Sequence, residues 1–173
     1  MIVDMVLDVV CPWCYLGKRQ LDKALSMRDG VVSQVRFRPY QLSPDTPAEG
    51  VDRAAYYARK FRGQEDGLAQ SRQFMCEAGE ALGIHFDFER KATIANTMDA
   101  HRLIRWAGGF ESVPNGKAGA QSNVVEALMK AYFEDGQNLG DARFLADVAA
   151  NAGMDEGLVA ELLASDRDKD TVA

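Results

Sequence analysis

Cys11 and Cys14, with Pro12 and Trp13 between them, are the residues of this chain whose type and spacing point most directly to chemistry. Thiols three positions apart share a helix face and can close a small disulfide ring. A thiolate at the first can attack a disulfide. The second can then displace the mixed disulfide, so that exchange becomes a repeating cycle. A zinc site would require four ligands, and Cys76, His85 and His101 stand at no ligand spacing from the pair, so no metal site is expected.

The flanking segments say how such a pair would be held. Residues 1–10 are mostly apolar and rich in Val, with Asp4 and Asp8 interrupting them, which predicts a largely buried strand. From Tyr15 to Leu25 the apolar residues Leu16, Leu21, Ala24 and Leu25 fall at helical spacing between basic ones. The cysteines thus sit at a strand-to-helix junction. Pro12 suits the first helical turn, where an N–H is not needed. With Cys11 at or near the N-cap, its sulfur faces free N–H groups and the positive end of the helix dipole, which favours thiolate. Cys11 is therefore the expected attacking thiol and Cys14 the resolving one.

Asp29-Gly30 reads as a helix stop, and Val31 to Tyr40 as a second strand. A strand, helix and strand in this order predict parallel neighbours with a right-handed crossover. Pro39, Pro44 and Pro47 punctuate a linker, and from Asp52 to Ser165 nearly everything reads as helix. Asp52 caps a helix through Phe61, a second covers Leu68 to Leu82, and Gly83 to Thr93 is a loop or short extended piece with alternating Phe86 and Phe88. Asn96 caps a helix stopped by Gly108-Gly109; others end near Phe133, at Gly153 and near Ala164, and Ser165-Asp166 could cap one more. The region amounts to five or six helices.

At 173 residues the chain can bury one substantial core, and its net charge of −6 with no basic cluster longer than Lys18-Arg19 lacks the footprint of a nucleic-acid binder. No apolar run reaches the roughly 18 residues of a membrane span. Met1 leads straight into a strand without a basic n-region, so a cytoplasmic location is expected. Three cysteines in that setting do not form a disulfide scaffold.

The stretch Asp8 to Leu25 resembles the opening of the DsbA-like thiol–disulfide oxidoreductases, in particular their FrnE-like branch, and Arg36–Pro47 and Asn96–Trp106 resemble that branch too. The resemblance implies an α/β, thioredoxin-like fold with an inserted all-helical domain. Residues 1–47 would form the N-terminal β-α-β part, 48–165 the helical insertion and 166–173 the start of the return. Such a fold needs two further strands, one opened by a cis-proline, and a closing helix. These are expected outside the present 173 residues, incompleteness being favoured over completion by a second chain, and Val113-Pro114, in a Gly-rich break, does not fill the cis-proline role.

The resemblance further implies exchange with protein or peptide thiols without a metal or organic cofactor. Glutathione or a thioredoxin-type partner would restore the starting redox state, and a homodimer is left open. Trp13 stands where the DsbA-type motif often has His, which implies a milder oxidant. Two rivals remain: a glutathione-dependent isomerase or transferase, since 2-hydroxychromene-2-carboxylate isomerases and kappa-class glutathione transferases share the layout but carry Ser where Cys11 stands, and a non-catalytic interaction module.

Beside the cysteines, the expected substrate-contacting residues are Pro12, Trp13, Tyr15, Pro39, Tyr40, Asn96 and His101. Four of them have a plainer alternative: core packing for Trp13 and Tyr15, a cap for Asn96, a satisfied polar residue for His101. Lys18 and Arg19 read as a solvated face, Cys76 as a small buried hydrophobe and His85 as a loop residue.

Overall fold

A computed structural model describes residues 1–28 and 30–172, so Asp29 of the expected helix stop lies outside the described residues. Strands β1 (Ile2–Leu7) and β2 (Gln34–Pro39) pair in parallel, from Ile2 opposite Gln34 to Leu7 opposite Pro39. Helix α1 (Pro12–Met27) connects them. The long connection permits the parallel ladder; a tight turn would have reversed the second strand. Along β1, Val3, Met5 and Leu7 turn inward while Ile2, Asp4 and Val6 are exposed. On that outer face Asp4 holds its register partner Arg36 at 2.7 Å.

The next two strands were not expected as a pair, although Gly83 to Thr93 was read as a loop or short extended piece. Val51–Asp52 (β3) pairs antiparallel with Thr93–Ile94 (β4), inside the region read as helix and loop. Two residues are too few for alternation to show in a sequence. Gly50 leads into β3 at φ +77°, and a Cβ there would lie 2.8 Å from the Ile94 carbonyl oxygen. Only glycine fits that approach without strain.

Helices α2 (Arg53–Lys60), α3 (Glu65–Glu80), α4 (Met98–Phe110), α5 (Ala120–Phe133), α6 (Ala142–Asn151) and α7 (Glu156–Leu163) are the expected helical series, and α8 (Lys169–Val172) follows Ser165-Asp166. Asp52, Asp141 and Asp155 cap α2, α6 and α7 through their carboxylates. Asn96 acts one residue before the N-cap Thr97, its Oδ1 accepting the Met98 N–H at 3.0 Å. Gly108-Gly109 does not stop α4, which continues to Phe110. A Cβ on Gly108 would come 2.7 Å from the Gln121 side chain, so this glycine serves close packing inside the helix. Gln121 in turn exchanges hydrogen bonds with Phe37 N–H and C=O, at 3.1 and 3.3 Å, as a neighbouring strand would. One side chain of α5 thus satisfies a backbone pair of β2.

Helix α4 is the centre of the packing, touching β2, α5, α6 and α8. A single buried cluster runs from Leu7, Leu16 and Phe37 through Leu103 and Ile104 to Leu128, Leu145 and Val159. Lys18 departs from its expected solvated face. Its side chain is 5% exposed and bonds Asp22 and Glu126, each at 2.7 Å. Glu126 also takes Arg19 at 2.6 Å, so α1 and α5 are joined through charges that must be paired because they leave water. Among the described residues no helix is long and apolar enough to cross a membrane.

Candidate active site

The end of β1 and the start of α1 bring the two thiols together. Cys11 is the N-cap of α1, at φ −98° and ψ 112°, with Pro12 directly after it, as the sequence predicted. Its N–H donates to the Asp8 carbonyl at 3.1 Å, and its carbonyl accepts from Cys14 at 3.1 Å and Tyr15 at 3.2 Å. Both cysteines are partly buried free thiols. The Cys14 thiol, followed by the N–H groups of Cys14 and Trp13, draws Cys11 down to about 7, against burial and the charge of Asp8. Cys14 is pushed above the ordinary thiol range, first by its hydrogen bond to Cys11 and then by burial. Near neutral pH the proton is thus held by Cys14, and Cys11 is the thiol that ionises more readily.

Beneath the thiols lies a pair that sequence reasoning missed. Asp8 and His101 are buried, with His101 Nε2 3.2 Å from Asp8 Oδ1. The other carboxylate oxygen accepts the Leu42 N–H at 2.8 Å. Asn96 fastens the same segment, donating to the Thr46 carbonyl at 2.8 Å and accepting from Gln41 at 3.0 Å. His101 and Asn96 therefore support the linker that carries Leu42 and are not among the residues lining the cleft. Removing the Asp8 charge should lower Cys11 further. Asp8→Asn, which keeps an oxygen for Leu42, is expected to alkylate at Cys11 about twofold faster or more at pH 6, the rates converging by pH 9. Equal rates at pH 6 would show that the carboxylate does not act on the sulfur.

Cys11 opens into a cleft of about 460 Å³ whose near wall includes Pro12 and Trp13 and whose far wall comes from α2, α3 and the loop after them, with Tyr57, Leu68, Met75 and Phe88. Leu42 closes one side, and Lys60, Gln64 and Arg72 supply polar groups. Trp13 is 52% exposed, its ring 5.8 Å from that of Phe74. Of the expected contact residues, Pro12 and Trp13 line the cleft; Tyr15, Pro39, Tyr40, Asn96 and His101 do not. Tyr15 is fully buried, stacked on Phe133 with its hydroxyl donating to Glu134 at 2.8 Å. Pro39 ends the ladder opposite Leu7, and Tyr40 points to solvent. The carboxyl end of β1 does carry the site, as open α/β sheets favour, but its opposite wall is helical. The helices of that wall were expected from the sequence, and the alternation of Phe86 and Phe88 marked the loop that adds Phe88 to it.

Cys76, read as a buried hydrophobe, is only partly buried, and burial raises its thiol. It is a poorer nucleophile than Cys11 near neutral pH. His85 is exposed beside Glu80. Among the described residues no group of three or more His, Cys, Asp or Glu could hold a metal ion.

A family model described as the DSBA-like thioredoxin domain matches residues 2–173. The Bacillus subtilis (strain 168) protein YwbO, described as uncharacterized, is 26% identical over 148 residues, covering 86% of this chain and 64% of that protein. The chain thus spans less than two thirds of that relative's length. A probable DsbA oxidoreductase from Streptomyces coelicolor superposes with a TM-score of 0.81 at 28% identity, over 99% of this chain and 71% of that one. A 2-hydroxychromene-2-carboxylate isomerase superposes with a TM-score of 0.69 at 18% identity, over 99% and 75%, a likeness of fold. The fold is mixed α/β, rich in helix and small in sheet, and with the family model covering nearly its whole length the chain belongs to the DSBA-like thioredoxin domain family.

Proposed function

We propose that this protein is a thiol–disulfide oxidoreductase that exchanges disulfides with protein or peptide thiols through Cys11 and Cys14. The observation that carries the reading is the asymmetry of the pair: Cys11 at a helix N-cap drawn down to about 7, Cys14 beside it pushed up. Membership of a family with oxidoreductase and isomerase neighbours supports an enzyme. DsbA-like chemistry needs no cofactor, because the two thiols carry the electrons.

In the reducing direction the Cys11 thiolate attacks one sulfur of a disulfide R–S–S–R′. The Cys11–S–R bond forms, and R′–S⁻ leaves and is protonated. Cys14 then loses its proton and attacks Cys11 Sγ, forming the intramolecular disulfide and expelling R–S⁻. The substrate gains two electrons that the protein gives up, and reversal oxidises a dithiol. Pro12 and Trp13 contact the substrate beside the sulfur. Glutathione or a thioredoxin-type partner resets the pair in a cytoplasmic setting. Residues 48–165 form the helical insertion, set on the β-α-β segment 1–47.

Equilibration against glutathione buffers, followed by acid quench, thiol alkylation and intact mass, tests the reading. One two-electron transition linking Cys11 and Cys14 is expected, between roughly −270 mV (thioredoxin) and −120 mV (DsbA). Two independently titrating thiols would overturn it.

A further inference from the structure

Arg72 is held in the cleft in a way the exchange reaction alone does not require. Its guanidinium lies over two aromatic rings, 5.4 Å from the centroid of Tyr57 and 5.7 Å from that of Phe88. Its side chain is 25% exposed, and its ion-pair partner is Glu89, 3.7 Å away with a side chain 92% exposed. Glu89 reaches Arg72 from the neighbouring hollow, outside the cleft that holds Cys11. Lys60 adds a second cation to the cleft. None of the described residues lining the cleft is acidic, although the chain carries a net charge of −6. Apart from the neutral polar Gln64 and Ser71 and from Gly67, the remaining wall is apolar or aromatic. A cation fixed by ring stacking and loosely paired offers a pre-set fork for a carboxylate.

We propose that this cleft selects disulfides bearing a carboxylate beside an apolar group, with Arg72 as the anion-binding residue and Lys60 as a supporting charge. The selection rests on the thiol–disulfide exchange proposed above and names its substrate class. The carboxylate displaces Glu89 from Arg72, and the apolar part lies against Trp13, Leu42 and Leu68 while Cys11 attacks the sulfur. At about 460 Å³ the cleft is in the range that holds a small ligand or a few residues of a peptide.

The test compares the effect of one substitution on an anionic and a neutral disulfide, each referred to its own rate with Arg72 in place. In Cys76→Ala protein, initial rates of mixed-disulfide formation at Cys11 are measured with anionic 5,5′-dithiobis(2-nitrobenzoate) and neutral 4,4′-dithiodipyridine, with and without Arg72→Gln. Arg72→Gln is expected to slow the anionic reagent about tenfold and the neutral one less than about twofold, the difference shrinking at 1 M salt. Equal effects on both reagents, or none on either, overturn the inference. The neutral reagent also separates this failure from that of the exchange reading: a Cys11 inert to it removes the oxidoreductase, whereas a reactive Cys11 without charge preference removes only the selectivity. Disulfide-linked peptides with Asp or Asn next to the cysteine then tell the sources apart. An Arg72-dependent preference for the Asp peptide assigns the carboxylate to a polypeptide, and its absence beside a preserved small-reagent preference assigns it to a small disulfide.

Discussion

Cys14→Ser is expected to hold a stable mixed disulfide on Cys11. After exposure to glutathione disulfide, intact mass should show one adduct per chain, outlasting the wild-type adduct at least about a hundredfold, because a neighbouring thiol acts at a very high effective concentration. On the proposed cycle this step carries its own trigger. Cys14 is held protonated first by its hydrogen bond to Cys11 and then by burial. Once Cys11 is bonded to substrate sulfur it is no longer an anion, the leading cause of that elevation is gone, and Cys14 ionises more readily. Resolution is therefore favoured only after attack. If Cys14→Ser is as free of adducts as Cys11→Ser, the assignment of attacking and resolving thiols is wrong. Glutathione-dependent isomerase activity that survives Cys14→Ser would instead favour the isomerase, since that chemistry does not use a second thiol.

The largest loss of stability should come from a residue remote from the thiols. Arg102 is fully buried in α4, and its guanidinium donates to the carbonyls of Leu162 at 2.6 Å, Ser165 at 2.8 Å and Arg167 at 2.8 Å, and to Asp99 at 2.7 Å. Trp106 covers its face at 4.8 Å and bonds Asp168 at 2.9 Å. These carbonyls close α7 and the turn beyond it, where a helix end has no partners of its own. Arg102→Met fills similar volume but strands the carbonyls and the Asp99 charge, at a cost of about 3–5 kcal/mol. For a chain of this size that is a fall in Tm of roughly 6–20 °C, read by calorimetry or circular dichroism. A fall below about 3 °C would mean that water satisfies the carbonyls as well as Arg102 does. Cys11 alkylation at low temperature should be unchanged, since Arg102 has no part in the cleft.

The chemistry-bearing segment was legible because everything that shapes it is local. The strand before Cys11, Pro12 in the first turn, the amphipathic helix after Cys14 and the caps at Asp52, Asp141 and Asp155 depend on residues within a turn or two of one another. Propensity and periodicity act over that range. Where the reading failed, a distant partner had overruled a local signal. Gly108-Gly109 reads as a helix stop, yet α4 runs through it because the missing side chain admits Gln121. Lys18 reads as surface, yet Glu126 on α5 takes its charge inside.

By itself, then, the sequence determined the two thiols, their helix-start geometry, the β-α-β order and the resemblance that named the family. Tertiary structure alone decided what surrounds the thiols. It set His101 on Asp8 across 93 positions of chain, used Asn96 and the linker to carry Leu42 to the cleft, and brought Tyr57, Arg72 and Phe88 opposite Cys11. Those juxtapositions arise from burying one continuous core against charges and carbonyls that must each find a partner. No window of sequence a few turns long contains that constraint.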